Sequence, residues 1–110
     1  MKKNLILAAA ALSLAACSNP RSAAENFLQS LANGQVEEAK RYATPSTGKI
    51  IDLAYSLAGD ELLDPDFEFR NPSDSVAGNR AWVSYEEKDG TRDTLELVKV
   101  DGDWLVSYSK

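Results

Sequence analysis

Arg80-Ala81-Trp82-Val83-Ser84-Tyr85-Glu86-Glu87-Lys88-Asp89-Gly90-Thr91-Arg92-Asp93-Thr94-Leu95-Glu96-Leu97-Val98-Lys99-Val100-Asp101-Gly102-Asp103-Trp104-Leu105-Val106-Ser107-Tyr108 has the pattern of an antiparallel meander. Aromatic and β-branched residues fill three runs, Arg80 to Glu87, Thr91 to Val100 and Trp104 to Tyr108. The Asp89-Gly90 and Asp101-Gly102 steps between them are hairpin chemistry, because Asp and Gly tolerate the positive φ that tight turns need. The runs are not cleanly two-sided. Trp104, Val106 and Tyr108 share one face while Leu105 lies on the other, and Leu95 and Leu97 oppose Val98 and Val100. One helical layer covers only one face of a sheet. The second apolar face, with Leu97 or Leu105 on it, is therefore expected to be closed by a partner or a second copy.

Upstream of Arg80 the signals weaken. Gly78-Asn79 and Asn71-Pro72-Ser73-Asp74 read as turns, with Ser75-Val76-Ala77 as a short strand between them. Asp66 to Arg70 alternates charge with Phe67 and Phe69, which reads as another short strand. Before Pro65 the period changes to that of helices. Ala24, Phe27, Leu28 and Leu31 make one stripe, opened at Pro20 or at the Ser22–Glu25 capping box and stopped by Gly34. A second short helix carries Val36, Ala39, Tyr42 and Ala43 and ends before Thr44-Pro45. A third, capped by Ser46 or Thr47, sets Ile50, Leu53, Ala54, Leu57 and Ala58 on one side and stops at Gly59. The expected class is α+β: three N-terminal helices packed on a curved antiparallel sheet of about four strands.

Two stretches carry a resemblance. Ser22-Ala23-Ala24-Glu25-Asn26-Phe27-Leu28-Gln29-Ser30-Leu31-Ala32-Asn33-Gly34-Gln35-Val36-Glu37-Glu38-Ala39-Lys40-Arg41-Tyr42-Ala43-Thr44-Pro45 resembles the opening of a family of small bacterial lipoproteins of unknown function. Val98-Lys99-Val100-Asp101-Gly102-Asp103-Trp104-Leu105-Val106 is similar to that family's closing hairpin. The resemblance spans nearly all of residues 20 to 108 and implies a nuclear transport factor 2-like (cystatin-like) cone. The family has no assigned activity, so no functional residue comes with it.

The N-terminus reads as an address. Lys2 and Lys3 precede an apolar run from Leu5 to Leu14, far shorter than the roughly 20 residues that span a bilayer. It ends in Leu14-Ala15-Ala16-Cys17, which matches the lipobox of bacterial lipoproteins. That match implies a diacylglyceryl group on the Cys17 thiol, cleavage before it, and an acylated new amine. Residues 1–16 are then signal peptide, 17–19 a very short tether and 20–110 one domain. Two or more acyl chains hold a protein stably at a membrane, where one does not. Ser18, rather than the Asp usual in lipoproteins kept in the inner membrane, points to the outer membrane. The tether reaches only about 10 Å, so the domain is expected to lie against the headgroups.

The catalytic inventory is thin. Of 110 residues none is histidine and one is cysteine, so Ser-His-Asp and Cys-His sets, an internal disulfide and a cysteine-cluster metal site are all excluded. The net charge is -5; without Lys2 and Lys3 it is -7, which argues against nucleic acid. Asp60-Glu61-Leu62-Leu63-Asp64-Pro65-Asp66 is acidic but lacks calcium-loop spacing. Asp52, Glu68 and Glu86 are the carboxylates an enzyme would use if one were buried beside a pocket. No cofactor and no metal are expected. The reading is a non-enzymatic envelope module, anchored at Cys17, that meets an envelope protein or a second copy. Tyr55, Trp82, Tyr85, Leu97, Leu105 and Tyr108 are its candidate pocket or interface residues. The alternative is a small-ligand carrier or enzyme using a cone pocket. A narrower one, suggested by the acidic charge alone, is an inhibitor of a basic envelope-attacking protein.

Overall fold

The computed structural model describes residues 19–108. Cys17, the apolar run before it and Ser18 of the tether lie outside the described residues. The chain is α+β, in the order α1 (Pro20–Ala32), α2 (Val36–Lys40), α3 (Pro45–Ala58), a 3-10 turn (Gly59–Leu62), β1 (Arg70–Ala77), β2 (Arg80–Glu86), β3 (Arg92–Val100) and β4 (Asp103–Val106). The strands form one antiparallel sheet in sequence order.

The meander forms where its turns place it. Asp101 and Gly102 both have positive φ, 53° and 88°, the signature of a two-residue type I′ turn that matches strand twist. At the wider β2–β3 loop, Asp89 Oδ1 accepts from the Thr91 amide at 3.0 Å and the Thr91 hydroxyl at 2.7 Å. β1 departs from expectation. Asp66 to Phe69 is not a strand, and Asn71 to Asp74 is not a turn but strand broken by an irregularity between Arg70 and Ser73. Asn71 takes φ 45° there, a conformation Asn tolerates, and Pro72 has no amide to donate. On an edge strand such a bulge also hinders pairing with another chain.

α1 lies across one face of the sheet. Asn19 caps it, accepting from the Ser22 amide at 2.8 Å, and Pro20 occupies the first turn, so the helix opens at the earlier of the two expected positions. Ala23, Ala24, Phe27 and Leu28 are buried against Ala81, Val83, Tyr85, Leu95, Leu97, Trp104 and Val106. The two alanines allow helix and sheet to approach closely. Arg21 ties the N-terminal end to β1 through Asp74 at 2.6 Å.

α2 is one turn shorter than the spacing predicts, because the backbone of Tyr42 to Thr44 pairs with β4 instead. The Thr44 amide donates to the Val106 carbonyl at 3.0 Å, and the Val106 amide to the Tyr42 carbonyl at 2.8 Å. α3 starts at Pro45 with Thr44 as its cap, two or three residues before the expected Ser46 or Thr47. Thr47 is instead buried, its hydroxyl accepting from the Tyr108 amide at 2.8 Å.

Candidate functional site

The residue that settles how α3 sits is Thr47. With Gly48 and Ile51 it makes the buried side of the helix, and the Lys40 stem lies beside Gly48. That choice leaves the apolar side legible in the sequence facing largely outward. Ile50 is 44% exposed, Leu53 60% and Leu57 78%. A helix has one inward direction, and roughly 100° per residue separates Ile51 from Ile50.

Beside this stripe lies an apolar groove of about 220 Å³, lined by Leu31, Ile50, Ile51, Ala54, Tyr55, Leu62 and Tyr108. The Tyr55 hydroxyl donates to the Leu31 carbonyl, joining α3 to the end of α1. Phe27 meets the Tyr108 ring edge-on at 5.7 Å. Burial raises the pKa of both Tyr55 and Tyr108. Neither phenol is paired with a base that would activate it.

Tyr55 and Tyr108 thus come together, as the sequence suggests. The other candidates do not join them. Tyr85 and Leu97 are core: Leu97 is wholly buried on the α1 side, and Tyr85 stacks on Phe69 at 5.4 Å and meets Phe67 at 6.0 Å. They are neither pocket nor interface residues. The register explains it, since Leu97 pairs with Ala81 and Val106, all pointing to α1. Trp82 and Leu105 lie on the opposite face, with half-buried Val98 between their strands. That face is interleaved with polar contacts: an Arg80–Glu96 ion pair and a Ser84–Thr94 hydroxyl contact at 2.9 Å.

The carboxylates are spread apart. Asp52 is exposed and pairs with Lys40 at 2.9 Å; the Asp52 carboxylate is the main reason the Lys40 pKa is raised. Glu68 is exposed beside Arg70 at 3.5 Å, and Glu86 accepts from the Asn71 amide nitrogen at 2.6 Å. Asp64 and Asp66 face Lys88 at 3.6 and 3.9 Å. Among the described residues, no three His, Cys, Asp or Glu side chains converge as metal ligands would. Two acids outside the sequence candidates are perturbed, and Asp89 is one, lowered by the hydrogen bonds it accepts from the Thr91 amide and hydroxyl. Glu87 is pushed up to about 7, first by its hydrogen bond with Asp93, then by burial and the charges of Asp93, Asp89 and Asp64. The sequence signal was there: Glu87, Asp89 and Asp93 flank one hairpin loop, so folding the loop gathers them.

Among the described residues no helix is long and apolar enough to cross a membrane. No protein-family model and no curated protein matches the chain.

Proposed function

We propose that the chain is a cell-envelope lipoprotein, tethered by lipid on Cys17, whose nuclear transport factor 2-like domain works by contact with another protein and not by turnover. The observation that carries the contact reading is the outward stripe of α3. Three large aliphatic side chains at helical spacing are exposed there with no polar residue between them in space. Leaving such surface in water is unfavourable by about 25 cal/mol per Å², so contiguous patches of this kind mark interaction sites. The outer face of the sheet, where the strand pattern alone would put the contact, is a weaker candidate because ions and hydroxyls break it up.

The groove supports a second reading, an apolar-ligand carrier. Its volume of about 220 Å³ falls below the roughly 300–1,000 Å³ of usual ligand pockets, and one of its two hydroxyls is spent on Leu31. Contact is the better-supported reading.

Two measurements test the proposal. Cys17→Ser abolishes incorporation of labelled palmitate and moves the chain out of the membrane fraction; continued labelling refutes the tether. A photo-crosslinking residue at Leu57 yields protein adducts in intact envelopes, while one at exposed Lys88, on the β2–β3 hairpin, yields few. Equal yields from both positions refute a contact surface on α3.

A further inference from the structure

The stripe on α3 is complementary to itself. Ile50, Leu53 and Leu57 recur at i, i+3 and i+7, with the small Ala54 beside them at the middle of the fourteen-residue helix. Lys49 flanks the stripe near its N-terminal end, one helical step from Ile50 on the side away from the core. Asp60 and Glu61 follow its C-terminal end. None of these three charges has an ion-pair partner among the described residues, whereas Asp52, further round the helix, is held by Lys40.

We infer that this surface is a homodimer interface, with α3 packed antiparallel against α3 of a second copy. The inference rests on the contact reading above and names its partner. A twofold axis between Leu53 and Ala54 sets Ile50 of each copy against Leu57 of the other. Ala54 opposite Leu53 lets the backbones approach. The same axis brings Lys49 of each copy to the Asp60 and Glu61 end of the other, so both unpaired charge groups are matched at once. A parallel pairing would put Lys49 on Lys49 and acid on acid. A lipid surface fits less well. Helices that lie in a membrane interface carry Lys and Arg on their polar face, while α3 has one Lys and one Asp and runs into two further acids that anionic headgroups repel.

The test uses the full chain in cell envelopes. Leu53→Cys, treated with a short bis-maleimide, gives a product of twice the chain's mass; the parent chain, with Cys17 as its lone cysteine, gives none. Adding Lys49→Glu lowers the dimer yield several-fold, and adding Asp60→Lys and Glu61→Lys to that variant restores it. Leu57→Cys serves as a second attachment point. A product of some other mass from both positions overturns the second-copy assignment and leaves the contact reading standing. No product from either overturns both. A dimer indifferent to Lys49→Glu overturns the antiparallel arrangement.

Discussion

At the scale of single residues, Thr47 and Glu87 are two side chains with unusual surroundings. Thr47 is wholly buried, and its hydroxyl accepts from the Tyr108 amide and the Thr44 hydroxyl, each at 2.8 Å. Valine has the same shape but no acceptor, so Thr47→Val strands the part-buried Tyr108 amide. The expected loss is about 1–3 kcal/mol of unfolding free energy by urea titration; a change within experimental error would mean water replaces the hydroxyl. Glu87 bears on pH. Its folded carboxyl sits at about 7 against an ordinary 4.5, so between those values the folded chain binds more protons than the unfolded one. The stability this adds is therefore present at low pH and falls away as pH rises through 7. Asp93→Asn removes both the hydrogen-bonding carboxyl and the nearest charge. Urea midpoints at pH 5 and pH 7.5 are expected to differ less in that variant than in the parent. An unchanged difference would place the titrating group elsewhere.

Elements differ in how far their own residues specify them. The hairpins were legible, because Gly78-Asn79 and Asp101-Gly102 are chemical instructions for a reversal and need no distant neighbour. β1 was not. Asn71 and Pro72 are turn formers in any local reading, and only the pairing of Ser73 to Ala77 with β2 holds them in a bulged strand. Phe67 and Phe69 alternate like strand residues, yet both rings simply reach Tyr85 from an irregular segment. Leu97 and Leu105 illustrate a further gap. Alternation puts them on opposite faces, but which face meets α1 is a tertiary fact. With that fact known, the two give opposite expectations for the same change. Leu97→Asp buries an unpaired charge and abolishes folding, read as loss of the folded circular dichroism spectrum. Leu105→Asp, on the outer face beside Val98, leaves the spectrum in place. Equal damage from both would mean the outer face is covered in the isolated chain.

For the molecule as a whole, the candidate site was half legible. Tyr55 and Tyr108 were identifiable as amphipathic residues in need of a polar partner, and they do share the groove. The α3 stripe was visible as apolar spacing but its exposure was not, since periodicity reports that a helix has an apolar side and not what that side meets. Thr47, polar by composition, took the inward position because Thr44 and Tyr108 supply its hydrogen bonds. The proposed tether gives the outward stripe its physical setting. A single helix pair buries modest area, below the roughly 1,200 Å² of a stable interface unless Leu62 and Tyr108 join it. Such a contact is weak in dilute solution and strengthens when both copies are confined to one surface, where effective concentration replaces affinity. On the proposed reading, substitutions at Cys17 and on α3 are therefore expected to be coupled. Cys17→Ser combined with Leu53→Cys, exported at equal level, is predicted to lose at least tenfold in crosslinked dimer while its circular dichroism spectrum is unchanged. Raising the concentration of the released chain recovers the dimer. If the released chain crosslinks as well as the anchored one at the same level, dimerisation owes nothing to confinement and the interface is larger than one helix pair. If concentration never recovers it, the α3 contact requires the membrane itself, and a surface of two copies and lipid replaces the simple twofold.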